Sequence, residues 1–267
     1  MRSTRLVTLA IGVAAATAAA LAMAAPAQAA SAVRYVALGD SYSSGVGAGS
    51  YISSSGSCDR STNAYSALWA AAHAPAAYTS VACSGATTST VNNSQLSALS
   101  STTTLVSVTV GGNDVGFSNI METCALQGTD ACVSAVQSAE SVAQSTLPGL
   151  LNTTYNNIRA HAPNAKVVVL DYPVFYQLGT VCVGLSATSH AKIDEGINLL
   201  DGILSTAASQ HGFTFGDVRS VFVGHQLCGS GTNWLHALNF LDITESYHPT
   251  ASGQSGGYLP VFTAAAG

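Results

Sequence analysis

Short apolar runs punctuate this chain at residues 33–38, 78–83, 105–110 and 166–170, each closing on glycine, serine or aspartate. Runs of this length, rich in β-branched residues and bounded by turn formers, read as buried strands. A fifth, shorter run lies at 213–215. Between them the apolar positions take helical spacing. Residues 63–74 form one such stretch, stopped by Pro75. Residues 131–161 form another, expected to bend near Pro148, because proline breaks the interior ladder of a helix. Residues 189–211 place Ile193, Ile197, Leu200 and Leu204 on one face, and 250–265 can form a last helix with Pro260 near its end. A helical turn is expected at 96–99. The Ser/Gly-rich stretch 43–57, a polar insertion after Gly112 and the region 220–247 read as irregular. Strands alternating with helices predict an α/β fold: a three-layer α/β/α sandwich around a mostly parallel five-stranded sheet, flavodoxin-like in arrangement. In such sheets functional groups gather beyond the carboxyl ends of the strands. Ser41, Gly85 and Asn113 each follow a predicted strand.

The amino terminus departs from this alternation. Arg2 and Arg5 precede a nearly continuous run of Ala, Leu, Val, Ile and Met, which ends at the small-x-small site Ala27-Gln28-Ala29. This is the pattern of a secretory signal peptide over residues 1–29, leaving a single catalytic domain over 30–267. The run approaches spanning length, but the cleavage site directly after it favours removal over a permanent membrane anchor. Beyond the leader, six basic residues face thirteen acidic ones. No basic stripe suggests nucleic acid. Charged residues make up only 8% of the chain, against a usual ~25%, so Ser, Thr, Asn and Gly must supply most of the polar surface. Nothing signals oligomerisation, and a monomer is expected.

All six cysteines follow the leader, which fits an oxidising, extracellular setting. Their spacing suggests the sequential pairs Cys58–Cys83, Cys124–Cys132 and Cys182–Cys228, although spacing alone leaves other connectivities open. No Cys-x-x-Cys, His-Glu-x-x-His or tight histidine cluster points to a metal.

Four blocks carry the candidate chemistry: Gly39-Asp40-Ser41-Tyr42-Ser43, Gly85, Gly111-Gly112-Asn113-Asp114 and Ser246-Tyr247-His248-Pro249. Ester hydrolysis by a serine needs a nucleophile, a base and donors for an oxyanion. Ser41 is the candidate nucleophile. His248 is the candidate base, able to take the hydroxyl proton and return one to the leaving alcohol. Gly85 lets a backbone N–H approach a substrate closely. Asn113 can aim a neutral amide N–H at the same oxygen. Asp40 and Asp114 read as structural acids that accept backbone N–H bonds beside Ser41 and Asn113. His161, His190 and His211 fall at predicted helix ends, and His225 and His236 in the irregular region. The sequence Gly253-Gln254-Ser255-Gly256-Gly257 fits a nucleophile elbow, but it comes after the histidine with only ten residues remaining, the wrong order for that motif.

The four blocks in this order resemble the SGNH (GDSL-type) hydrolases over nearly the whole mature chain, and within them the secreted Streptomyces lipases and phospholipases A1. The resemblance implies the SGNH fold, sequential pairing of the six cysteines, Ser41 as nucleophile, an oxyanion hole from Ser41, Gly85 and Asn113, and His248 as base. It implies a carboxylic-ester hydrolase acting on lipid or phospholipid at an interface, with no cofactor; esters of carbohydrates or aryl alcohols are the alternative substrates. Many of these hydrolases have Asp three residues before the histidine, where this chain has Glu245. Glu245, Asp242 or the backbone carbonyl of Ser246 can orient the imidazole. The carbonyl is preferred, since it fixes the tautomer without adding charge. By position, the loop after Ser41 and residues 175–185 are expected to line an acyl pocket.

Overall fold

The computed structural model describes residues 32–267; the expected signal peptide, residues 1–29, lies outside the described residues. Five strands form one sheet: β1 (Arg34–Gly39), β2 (Ala77–Ser80), β3 (Leu105–Thr109), β4 (Lys166–Leu170) and β5 (Thr214–Gly216), in the order β2-β1-β3-β4-β5. All four pairings are parallel, with Leu38 opposite Val108 and Val108 opposite Val169. Every residue of β3 is buried, as a central strand covered on both faces requires. Consecutive strands change sides about β1, so the crevice beyond the carboxyl ends of β1 and β3 is the topological switch point.

The helices are α1 (Ser41–Ser44), α2 (Tyr65–His73), α3 (Thr88–Thr90), α4 (Phe117–Leu126), α5 (Thr129–Ser145), α6 (Leu147–His161), α7 (Ala187–Gln210), α8 (Arg219–Phe222) and α9 (Leu259–Ala266). The long pattern after residue 131 does break where expected: α5 ends at Ser145, and Pro148 sits in the first turn of α6, where its missing N–H costs no intrahelical bond. Two expectations are corrected. The supposed polar insertion is the helix α4, whose Phe117, Ile120, Met121 and Cys124 repeat at helical spacing and turn inward. Its polar outer residues mask that period in the sequence. Pro260 opens α9 rather than closing it, after a wider π-helical stretch, Gly253–Tyr258. The three disulfides join Cys58–Cys83, Cys124–Cys132 and Cys182–Cys228. The second staples α4 to α5. None of the described helices is long and apolar enough to cross a membrane.

Gly39 ends β1 in a way only glycine allows. Its φ is +121°, and a Cβ there would stand 2.4 Å from the Thr109 carbonyl oxygen. The chain thus turns tightly against β3 and delivers Asp40 and Ser41 at the sheet edge.

Candidate active site

Ser41 is the first residue of α1. Asp40 caps that helix, accepting the Tyr42 N–H on Oδ1 at 3.0 Å. Asp40 Oδ2 accepts the Tyr172 hydroxyl at 2.5 Å, and the Tyr172 oxygen in turn accepts the Gly112 N–H at 3.0 Å. This chain of bonds ties the Ser41 turn to the loop that carries Asn113. Burial pushes the Asp40 carboxyl up to about 7, opposed by the hydrogen bonds from Tyr172 and Tyr42. Asp114 accepts the Thr88 N–H and hydroxyl, fixing the start of α3 beside Asn113. Both aspartates therefore hold backbone, as expected from sequence.

His248 lies across from the serine, with Nε2 2.7 Å from Ser41 Oγ; both residues are buried. The preceding residue, Tyr247, takes a left-handed φ of +66°, uncommon for a bulky side chain. Three contacts hold it there. Its carbonyl accepts the Tyr42 hydroxyl at 2.8 Å, its own hydroxyl accepts from Tyr176 at 3.1 Å, and its ring stacks on Phe175. Strain held so firmly beside a polar pair is a mark of a functional site. His236 buttresses the same segment through paired backbone bonds with His248 and Tyr247, while its Nε2 lies 2.7 Å from the Gly47 oxygen.

The imidazole's other nitrogen, Nδ1, is buried and, among the described residues, has no hydrogen-bond partner. The backbone oxygens of Ser246 and Thr244 nevertheless raise the pKa of the ring, and neither accepts another bond among the described residues. Desolvation outweighs them, and with a smaller contribution from His236 it pushes His248 down to about 4. The Glu245 carboxylate is turned elsewhere: Oε1 accepts the Tyr51 hydroxyl at 2.5 Å, and Oε2 lies 3.9 Å from His236 Nε2. Asp242 Oδ1 faces the Glu245 N–H at 3.4 Å.

Gly85 adopts a φ of +75°, with open space where a Cβ would stand. Among the described residues, neither its N–H nor that of Ser41 donates to a protein acceptor. Asn113 Nδ2 donates one hydrogen to the Ala86 oxygen at 3.0 Å, which fixes the amide and leaves its second hydrogen. Ser41, Gly85, Asn113 and His248 all line one cleft of about 580 Å³. Its outer wall comes from Leu126, Leu238, Phe240 and Ile243, not from the loop after Ser41 or residues 175–185; of those, only Phe175 approaches, in a narrower space behind Ser41.

The remaining candidates separate from this site. His161 and His211 each turn Nδ1 to the carbonyl four residues earlier, as His73 also does, His190 stacks on Tyr176, and His225 stacks on Trp234. Ser255 is exposed on the π-helical stretch, whereas its neighbour Gln254 is buried and bridges Tyr42 O and the Tyr65 N–H. Sequence reading missed Gln254, Tyr172 and Tyr247 as supports, since none carries a local signal. Among the described residues, no group of three or more His, Cys, Asp or Glu is placed to hold a metal ion.

The chain is 58% identical over 239 residues to Lipase 1 of Streptomyces coelicolor, covering 90% of this chain and 89% of that protein. It is 54% identical to a lipase of Streptomyces rimosus, covering 88% and 87%. The crystal structure of phospholipase A1 from Streptomyces albidoflavus NA297 superposes with a TM-score of 0.86 at 52% identity, over 87% of this chain and 99% of that one. With residues 37–255 matching its family pattern as well, the chain belongs to the GDSL-like Lipase/Acylhydrolase family.

Proposed function

We propose that this protein is a secreted lipid-ester hydrolase, a lipase or phospholipase A1, working through Ser41 and His248. The 2.7 Å contact between Ser41 Oγ and His248 Nε2, at the head of a large cleft, carries the reading. Ser41 Oγ attacks the ester carbonyl carbon as its proton passes to Nε2. The carbonyl oxygen becomes an oxyanion, met by the Ser41 and Gly85 N–H groups and the free Asn113 amide hydrogen. The intermediate collapses, His248 returns the proton to the leaving alcohol, and an acyl-enzyme remains. Water then attacks with His248 again as base, and the fatty acid leaves. The imidazolium formed in each step holds its Nδ1–H toward the Ser246 and Thr244 carbonyls, which makes Ser246 the preferred orienter. The names of its relatives support a lipid substrate. So does the cleft mouth, where Leu126, Phe240 and Ile243 are exposed beside Leu241, which is 97% exposed. Apolar groups in water beside a site suit contact with a lipid layer. The leader pattern and three disulfides support secretion.

Incubation with a fluorophosphonate, followed by peptide mass mapping, tests the nucleophile. Label on the peptide carrying Ser41 is expected, together with hydrolysis of long-chain esters. Label on another serine, or turnover of acetyl esters alone, overturns the reading.

Two further outcomes follow from the site's electrostatics. Glu245→Gln keeps an acceptor for Tyr51 and is expected to change kcat by less than ~10-fold, because the carboxylate does not serve His248; a loss near the ~10⁴ of a triad acid would assign it that role. The acid limb of kcat/KM reports the free base. With His248 pushed down to about 4 by burial, activity is expected to hold as pH falls past 6.5, the ordinary histidine value, and to drop only toward 4. A limb near 7 that Asp40→Asn abolishes would assign the pH dependence to Asp40 instead.

A further inference from the structure

His248 sits on an irregular stretch, 223–249, which holds no helix or strand, only isolated bridges such as Leu235 opposite Pro249. A side chain on such a segment depends on cross-links for its placement. His236 supplies two kinds. Its N–H donates to the His248 carbonyl at 2.9 Å, and its own carbonyl accepts the Tyr247 N–H at 2.8 Å. Its imidazole reaches the other way, Nε2 donating to the Gly47 oxygen at 2.7 Å. A carbonyl can only accept, so Nε2 carries a proton whether the ring is neutral or charged. Gly47 is buried, and among the described residues His236 is the one partner of its carbonyl. Gly47 belongs to the turn of the nucleophile. The Ser41 carbonyl accepts the Gly45 and Val46 N–H groups, each at 3.0 Å. On the far side, Asn63 Nδ2 donates to the Ala48 oxygen at 2.9 Å, and Ser61 Oγ donates to the Gly49 oxygen. A Cβ at Gly47 would stand 2.8 Å from the Pro249 oxygen and 3.1 Å from His248 Cβ, so the two segments meet with no side chain between them.

We propose that His236 is a positioning residue for ester hydrolysis: its imidazole clasps the segment carrying His248 to the turn carrying Ser41 and so sets the 2.7 Å reach from Oγ to Nε2. The inference rests on the ester-hydrolase reading above. Proton transfer from Oγ needs that reach, and a displacement of ~1 Å can cost ~10²-fold in rate. Two other bonds tie the same segments, the Tyr42 hydroxyl to the Tyr247 oxygen and the Tyr51 hydroxyl to Glu245. His236 therefore governs the alignment of the two segments rather than their attachment, and its removal brings a partial loss. His236 is not among the residues lining the cleft, so binding of the ground-state ester is not its task.

Steady-state kinetics on p-nitrophenyl butyrate, run well below the unfolding temperature of each variant, test this. His236→Leu keeps much of the volume but donates nothing. Its kcat is expected to fall about 10–50-fold with KM within ~2-fold, the pattern of lost alignment rather than lost binding. His236→Gln carries an amide N–H that can serve Gly47, and is expected to bring kcat back to within ~3-fold of the wild type. A residue that only supports the fold would lower the unfolding temperature and leave kcat in place. That result, a rise in KM with kcat unchanged, or a loss that His236→Gln does not relieve overturns the proposal, while the ester-hydrolase reading stands. Should His236→Leu fail to fold, His236→Ala takes its place under the same criteria. If the wild type leaves the ester intact and a fluorophosphonate does not label Ser41, the ester-hydrolase reading and the positioning role fall together.

Discussion

Ser41→Ala and His248→Ala are each expected to lower kcat on a lipid ester by about 10⁴–10⁶-fold, and the double variant by no more than the worse single one. The magnitude follows from what a serine–histidine pair does as a unit: without the base the hydroxyl stays protonated and weak, and without the hydroxyl the base has nothing to activate. The residual rate comes from oxyanion donors and binding, which neither substitution touches. KM should move little, because the ground-state ester does not depend on the proton transfer. The fold should survive as well. Among the described residues the Ser41 hydroxyl bonds only to His248, while Asp40, Gln254 and Tyr42 hold its turn through the backbone. Steady-state kinetics of the three variants, with circular dichroism to check folding, measure this. Losses that multiply in the double variant would mean that the two residues act in separate steps.

Asn113→Ala carries the next largest effect, a fall of about 10²–10³ in kcat, the usual cost of one missing oxyanion donor. KM should again stay near its original value, since the donor is aimed at charge that appears only in the transition state. Asn113 suits this task because the Ala86 carbonyl already fixes its amide, so little reorganisation is needed when the oxyanion forms. Its removal also leaves that carbonyl without the amide, and a stability loss of about 1 kcal/mol is expected. Asn113→Asp should be worse than alanine, because a carboxylate keeps the shape but offers charge repulsion where a donor is needed. A rise in KM with kcat unchanged would instead make Asn113 a binding residue.

Much of this site was legible before any coordinates. Ser41, Gly85 and Asn113 each follow a buried apolar run, and a parallel sheet places such positions on one edge. The strand at 166–170 is recovered residue for residue, because a solid Val-Val-Val-Leu run between turn formers admits one reading. What escaped was the long-range support. Tyr51 meets Glu245, and Gln254 meets Tyr42, across most of the chain's length. Hydrogen-bond partners have no period, so spacing cannot announce them. The irregular segments are held by buried carboxylates for which the same is true: Asp171 accepts from the Val218 N–H, Asp194 from Phe175 and Tyr176, and Asp201 from Tyr172. The helix α4 escaped for another reason. One inward stripe and a polar outer face look like loop when composition is weighed before period.

The most direct test is fatty-acid release from a phospholipid with different acyl chains at sn-1 and sn-2, using the wild type and Ser41→Ala in excess chelator. Release of the sn-1 acid by the wild type alone, undiminished by chelator, is the expected result. Release that persists in Ser41→Ala, or that chelator abolishes, would contradict a serine hydrolase acting through Ser41 and His248.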